Sequence, residues 1–165
     1  DLADSSLVAR RLAPMNYVVA AAPRYLHTHG EPDTPEELAG HNCLVYQGEM
    51  GRQRWYFQAA GESSAIPYEV SGSLYSNDAE SLLLAALMGQ GLVLFPTWLV
   101  ADALASGELV PVLKAWRCEV VSGRRDLYVL TTERRLRARK VRAFLDFLFE
   151  SLSPNPPWDC WDTNY

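Results

Sequence analysis

Residues 76–96, SNDAESLLLAALMGQGLVLFP, give the clearest structural signal in this chain. The stretch opens with three small polar residues, runs apolar to Met88, is interrupted by the triplet GQG and resumes as a short apolar run that ends in Phe-Pro. The apolar segment predicts a helix that packs on a core, and the glycines predict its end before a buried strand. What has to be explained is why so apolar a helix begins with three hydrogen-bonding side chains.

The segments on both sides alternate between strand-like and helix-like patterns. Strands are predicted at 7–12, 17–22, 43–46, 54–58, 68–76, 92–95, 109–113 and 126–131. The run 17–22 is continuously apolar, which is typical of a strand buried on both faces. The alternating pair 54–58 and 68–76 is expected to be antiparallel. Otherwise the alternation of strands with helices predicts an α/β chain whose sheet is mostly parallel.

Helix boundaries are also marked in the sequence. Thr34 is expected to cap a short helix and to form a capping box with Glu37. Thr97 is expected to cap a later helix, which Gly107 is expected to end. The last helix, 135–152, is amphipathic, and its apolar stripe consists of Leu136, Val141, Phe144, Leu145, Leu148 and Leu152.

Bulk composition restricts the class of protein. The chain has 165 residues, of which 48% are hydrophobic and 21% charged, and this balance is ordinary for a soluble globular domain. The net charge of −5 disfavours nucleic-acid binding by this chain itself. We interpret the basic run 134–140 as a solvated helix face. No apolar run reaches the roughly 18 residues that a membrane span needs, so no membrane partner is expected.

The reactive residue types form no recognisable catalytic or metal-binding set. Cys43, Cys118 and Cys160 are widely separated, which predicts reduced thiols, a cytoplasmic location and no zinc site. No serine lies in a GxSxG elbow, and the GQG triplet lacks the context of a phosphate-binding loop. The sequence therefore predicts no enzyme activity, no metal and no cofactor.

Three blocks of the sequence resemble the effector-binding domain of LysR-type transcriptional regulators. They are LADSSLVARRLAPMNYVVAAAPRYLHTHGEPDTPEELAGHNCLVY at 2–46, VSGSLYSNDAESLLLAALMGQGLVLFPTWLVADALASGELVPVL at 70–113, and LYVLTTERRLRARKVRAFLDFL at 127–148. No single block is a catalytic-grade signature, but together they keep the order and spacing of every element over almost the whole chain.

The resemblance implies a fold similar to that of type 2 periplasmic binding proteins. Two Rossmann-like lobes would be joined by the crossover strands 17–22 and 127–131, and a small effector would bind in the cleft between the lobes. The implied division is 1–22 for part of lobe I with the first crossover, 23–126 for lobe II, 127–152 for the second crossover with the C-terminal helix of lobe I, and 153–165 for an irregular tail. Lobe I would be incomplete in this chain.

The polar triplet supplies the first candidate ligand-binding residues. Ligands of open α/β sheets bind at the carboxyl ends of strands, where helix N-termini offer free N–H groups. Any helix prefers Ser, Asn or Asp as its N-cap, but only one of the three can be the cap. We therefore expect Ser76 or Asn77 to face the ligand. Asp78 is expected to be a first-turn residue, and it is a weaker candidate because its carboxylate would repel an anion.

The ends of two other strands supply the remaining candidates. Phe95, Pro96 and Thr97 follow the next strand along the chain, and Phe95 is equally well explained by core packing. Tyr46 and Gln47 end a third strand on the same edge, with hairpin packing as the alternative.

The resemblance implies a regulatory domain that binds a small, anionic effector. It also implies homodimers or tetramers, and DNA binding only through a winged helix-turn-helix domain that this chain does not contain. A solute-binding receptor of the same fold is the alternative, and an enzyme with this fold is disfavoured by the lack of a catalytic set.

Overall fold

The structure is a computed structural model, and it describes residues 7–49, 51–152 and 156–159. The chain forms two compact units, Asn16–Arg124 and a smaller one that combines Asp1–Met15 with Arg125–Tyr165. Of the tail predicted to be irregular at 153–165, only 156–159 is described, and Pro157–Asp159 there forms a short 3-10 helix. The predicted free thiol Cys160 lies outside the described residues. The lobe boundaries at 22 and 126 stay a prediction.

The smaller unit is built on one antiparallel strand pair. Strand β1 (Leu7–Met15) pairs with β11 (Arg125–Thr132), from Leu7↔Thr132 to Met15↔Arg125, with a register shift between Arg11 and Ala13. The predicted strand 7–12 thus continues through Pro14. The prediction of a single helix at 135–152 is wrong, because the chain forms two helices there, α4 (Glu133–Leu136) and α5 (Arg139–Leu152).

The apolar stripe of α5 is only partly covered within its unit. Leu145 is buried, whereas Phe144 has 61% of its surface exposed. The Arg10 guanidinium lies 3.7 Å from the centroid of the Phe149 ring, which attaches α5 to β1.

The larger unit contains the remaining strands and helices. Its strands are β2 (Tyr17–Ala21), β3 (Val45–Gly48), β4 (Gly51–Arg52), β5 (Trp55–Ala59), β6 (Ile66–Tyr68), β7 (Tyr75–Ser76), β8 (Val93–Pro96), β9 (Val110–Val112) and β10 (Trp116–Glu119). Its helices are α1 (Pro23–His29), α2 (Ala79–Leu87) and α3 (Thr97–Ser106), with a 3-10 helix at Pro35–Gly40.

Strand β2 is the centre of the main sheet. All five of its residues are buried, as the continuous apolar run predicts. The order of the main sheet is β6-β5-β10-β2-β8, and β9 also pairs with β2. Every one of these pairings is antiparallel, so the expectation of a mostly parallel sheet is wrong. Alternation of strands and helices along a sequence does not specify which strands become neighbours.

A second group of strands is parallel. Strand β3 pairs with β7 in parallel and with β4 in antiparallel register, and a parallel bridge joins Cys43 to Leu92 just before β8. The predicted strand 68–76 does not form. Its first residue, Tyr68, ends β6, which is antiparallel to β5 as expected, and its last residues form β7. The chain bends between them, where Gly72 passes so close to the carbonyl of Cys43 that a side chain would overlap it.

The helix ends follow the glycines, but the caps differ from expectation. Helix α3 ends at Gly107, which has a left-handed φ of 76°, as predicted. Thr34 occupies the N-cap position of the 3-10 helix, yet its side chain forms no capping bond. The Glu37 carboxylate accepts a bond of 3.0 Å from the N–H of Asp33, so the predicted capping box is wrong. In the part of the chain that the structure describes, no helix has both the length and the apolar character to cross a membrane.

Candidate functional site

The three strands that carry the candidate residues run in the same direction. Val45 and Tyr46 are the register partners of Tyr75 and Ser76, and the bridge at Leu92 aligns β8 with the start of β3. The carboxyl ends of β7, β3 and β8 therefore point the same way. We call residues 46–47, 76–78 and 95–97 the carboxyl edge.

Asp78 is the N-cap of α2, which corrects the expectation that it is a first-turn residue. Its carboxylate accepts bonds from the N–H groups of Glu80 and Ser81, at 3.2 and 3.3 Å, and from the hydroxyl of Ser81. The Ser81 hydroxyl bond, followed by the two backbone bonds, lowers the pKa of Asp78. The positive end of α2 is thus already balanced by a carboxylate of the chain itself.

Ser76 and Asn77 differ in how far the fold uses their side chains. Ser76 Oγ accepts a 3.0 Å bond from the N–H of Asp78, which leaves its hydroxyl hydrogen free to be donated. Asn77 is exposed, and its side chain forms no hydrogen bond with any residue that the structure describes. Capping therefore explains Asp78, and it explains nothing about Asn77.

Tyr46 and Gln47 lie beside this turn. Tyr46 is the direct parallel neighbour of Ser76, and its carbonyl accepts a 2.8 Å bond from the N–H of Gln53. Gln47 is exposed and pairs with Arg52 across the β3–β4 hairpin. The structure thus brings four of the predicted polar residues to one place.

At the end of the third strand, β8, the side chains of two of the three predicted residues are buried. Phe95 and Thr97 have only 3% and 2% of their surface exposed. The N–H and the Oγ1 of Thr97 both donate to the carbonyl of Asn16, at 2.9 and 3.4 Å. Thr97 is the first residue of α3 and does not cap it, because the N-cap is Pro96 and no side chain bonds to that helix end. Within the described chain, the N-terminus of α3 is therefore uncapped while that of α2 is capped.

Asn42 has a structural role that the sequence did not indicate. Its amide donates 2.9 Å and 2.5 Å bonds to Ser73 Oγ and the Gln90 carbonyl, and its Oδ1 accepts a 2.6 Å bond from the N–H of Ser73. Its backbone N–H donates to the hydroxyl of Tyr25, at 2.9 Å. One side chain thus ties together the amino ends of β3, β7 and β8. A lone Asn after His41 carries no sequence signal for this role.

Tyr25 is the buried centre of an aromatic and imidazole cluster. Its ring stacks on His29 at a centroid distance of 4.3 Å, and its hydroxyl lies 3.2 Å from Nδ1 of His41. Burial, and then the charge of His29, lower the pKa of His41, while the Glu37 carboxylate opposes the shift. Burial also raises the pKa of Tyr25. Both side chains are therefore neutral at neutral pH.

Arg52 is the second residue that the sequence did not single out. Its guanidinium carbon lies 4.4 Å from the centroid of the Tyr75 ring, one residue before Ser76.

The smaller unit also has a groove of about 860 Å³, and it contains none of the predicted site residues. Among residues 7–49, 51–152 and 156–159, no three His, Cys, Asp or Glu side chains come together in a group that could hold a metal ion.

Comparison with known proteins gives the family. Residues 1–153 match the family described as LysR substrate binding domain. The chain is 34% identical over 155 residues to the HTH-type transcriptional regulator CrgA of Neisseria meningitidis serogroup B, covering 94% of this chain and 50% of that protein. It is 31% identical over 147 residues to the uncharacterized HTH-type transcriptional regulator YhjC of Escherichia coli K12, covering 89% of this chain and 48% of that protein.

Solved structures agree with this match. The CrgA regulatory domain superposes with a TM-score of 0.72 at 33% identity, over 91% of this chain and 71% of that one. The full-length virulence activator AphB of Vibrio cholerae gives a TM-score of 0.73 at 28% identity, over 89% of this chain and 48% of that one. The chain thus spans about half the length of the curated relatives it matches. With this fold and this match over nearly its whole length, the chain belongs to the family of LysR substrate-binding domains.

Proposed function

We propose that this chain is the regulatory module of a LysR-type transcription regulator and that it binds a small, anionic metabolite at the carboxyl edge. Binding would change the oligomeric arrangement of the intact cytoplasmic protein, and with it DNA binding by a winged helix-turn-helix domain outside this chain. The regulator role is supported by relatives that are named as HTH-type transcriptional regulators and are about twice as long.

The observation that carries the binding proposal is the contrast between Asp78 and its two neighbours. Asp78 satisfies the start of α2, while Ser76 keeps a hydroxyl hydrogen to donate and the Asn77 amide has no partner among the described residues. Gln47 and Tyr46 lie next to this turn. The start of α3 has no side-chain cap, and although the N–H of Thr97 bonds to Asn16, the N–H groups that follow it in the first turn are suited to an oxyanion. Polar groups that the fold itself does not use are what a ligand site requires.

The same contrast gives the experiment. Purified chain is screened by thermal shift against small aliphatic and aromatic carboxylates, and each hit is measured again on Asn77→Ala and on the control Ser71→Ala. Ser71 is an exposed residue before the start of β7. Its carbonyl accepts a hydrogen bond from the N–H of Cys43, and this backbone bond does not involve the serine side chain.

We expect a ligand at 100 times its dissociation constant to stabilise the parent and the control by about 2.7 kcal/mol, and to stabilise Asn77→Ala much less. Equal stabilisation of all three proteins would place the ligand elsewhere. If no carboxylate stabilises the parent, the proposal of an anionic effector is wrong.

A further inference from the structure

The β3–β4 hairpin places Arg52 directly opposite Gln47. Directly opposed residues of an antiparallel pair project on the same face, so the guanidinium and the Gln47 amide belong to one surface. Val45 shares that face, since it is two residues from Gln47, and its parallel partner is Tyr75. The register therefore accounts for the 4.4 Å contact between the Arg52 guanidinium and the Tyr75 ring.

Stacking holds the guanidinium without using its hydrogen bonds. The face of the Tyr75 ring attracts the cation, while the N–H groups of a guanidinium project from its edge and stay available. Arg52 is exposed and forms no ion pair or hydrogen bond with any described residue, whereas Arg11 and Arg117 are each paired with a carboxylate. A cation that is held by a ring contact and has no acidic partner among the described residues is available to bind an anion.

Charge along the edge also favours this location. The N-terminus of α2, which would otherwise attract an anion, is occupied by the Asp78 carboxylate. The Arg52 guanidinium, in contrast, is held by its contact with the ring of Tyr75. Tyr75 immediately precedes Ser76, so this cation lies next to the carboxyl end of β7. A planar guanidinium can form two parallel bonds to a carboxylate, and the adjacent Gln47 amide can donate a further bond.

We propose that Arg52, stacked on Tyr75, binds a carboxylate group of the effector together with Gln47 and thereby selects carboxylic acids over neutral analogues. This inference rests on the proposed function and names the chemical class of the ligand and the residue that selects it. The competing explanation is that Arg52 only stabilises the hairpin by covering Tyr75.

The test compares acids with their neutral amides on four proteins. Dissociation constants of acetate, succinate and benzoate, and of acetamide, succinamide and benzamide, are measured by calorimetry. The proteins are the parent chain, Arg52→Gln, Arg52→Lys and the matched control Arg54→Gln. Arg54 is exposed two residues away, and its substitution changes the net charge equally without touching Tyr75. Thermal unfolding without ligand reports any loss of hairpin stability separately.

We expect the acid that binds best to lose about tenfold or more in affinity on Arg52→Gln, to recover part of it on Arg52→Lys, and to change by less than about twofold on Arg54→Gln. The matching amide should bind the parent weakly, with no further loss on Arg52→Gln. An acid that binds Arg52→Gln as tightly as the parent, or an amide that binds the parent as tightly as the acid, overturns the role of Arg52.

The two proposals fail in different ways. If an acid binds the parent and is lost on Asn77→Ala but not on Arg52→Gln, the carboxyl edge is the site and only the Arg52 inference is wrong. If none of the acids binds the parent, the proposed anionic effector and the Arg52 inference are both wrong.

Discussion

The hydroxyl of Tyr25 lies 3.2 Å from Nδ1 of His41, within hydrogen-bonding distance. The same oxygen accepts a 2.9 Å bond from the N–H of Asn42. In the neutral imidazole, the tautomer with a lone pair on Nδ1 accepts the Tyr25 hydroxyl hydrogen. Protonation of His41 makes both ring nitrogens donors, so Nδ1 can then no longer accept that hydrogen.

Stability should therefore fall in mild acid. The folded-state pKa of His41 lies below the ordinary value of about 6.5, because burial and the charge of His29 disfavour the cation more than Glu37 favours it. Below pH 6.5 the unfolded chain binds a proton that the folded chain does not, so the free energy of unfolding decreases as pH falls toward the folded pKa. Urea unfolding at pH 7.5 and 5.5 measures this difference.

His41→Gln should make the pH dependence shallower, because glutamine keeps an acceptor for Tyr25 but does not titrate. His27→Gln is the matched control, since His27 is exposed on α1 and makes no contact with the Tyr25 ring. A slope that is unchanged in His41→Gln would show that other groups cause the acid sensitivity.

Asn42→Ala should destabilise the larger unit by about 2–3 kcal/mol. The substitution removes three side-chain bonds and leaves the N–H of Ser73 and the carbonyl of Gln90 without this partner. Asn77→Ala is the matched control and should change the free energy of unfolding by less than about 0.5 kcal/mol, since its amide bonds to no described residue. Chemical denaturation of both variants checks the prediction, and similar losses would contradict it.

Gly91→Ala should be among the most damaging small substitutions in the chain. Gly91 is buried, and a Cβ there would overlap the carbonyl oxygen of Asn42, which is backbone and cannot move aside cheaply. We expect a loss of about 1–3 kcal/mol in the free energy of unfolding. At Gly40 a Cβ would meet nothing within 4 Å, so Gly40→Ala should be nearly neutral. Thermal unfolding of the two variants should separate them, and equal melting temperatures would refute the close approach.

Cys43 and Cys118 should resist thiol reagents in the folded protein. Burial raises the pKa of each thiol to about 12, so the reactive thiolate is nearly absent at pH 8. Iodoacetamide labelling read by peptide mass spectrometry should leave both unmodified in buffer and modify both in urea. Labelling of either residue in buffer, at the rate of a free thiol, would show that the core opens.

Local signals in the sequence predicted local structure well. The run 17–22 gave the buried strand β2, and Gly107 gave the end of α3, because apolar continuity and a left-handed terminal glycine act within a few residues. The sequence also predicted that Ser76 and Tyr46 lie at the same edge of the sheet, because ligand-binding residues of an α/β sheet follow the carboxyl ends of its strands, and the two are register partners in the parallel pair β3–β7.

Long-range pairing was not predictable in the same way. Periodicity indicates that 17–22 is buried, but not that β2 is antiparallel to β8, β9 and β10. The sequence could not identify Asp78 as the cap of α2, because Ser76, Asn77 and Asp78 are all residue types that favour the N-cap position. The roles of Asn42 and Arg52 depend on residues about 20 to 50 positions away, which no local pattern contains.

The amino ends and the carboxyl ends of the parallel strands differ in how strongly the fold depends on their residues. At the amino ends, Asn42 is held by its side-chain hydrogen bonds, and an added Cβ at Gly72 or Gly91 would overlap neighbouring backbone atoms. At the carboxyl edge, the Asn77 and Gln47 side chains form no hydrogen bond with any residue that the structure describes. Under the proposed function, substitutions that alter ligand preference would be uncoupled from substitutions that threaten folding. A descendant of this domain would then acquire a new effector through a few substitutions at positions 47 and 77, without first needing compensating stabilisation elsewhere.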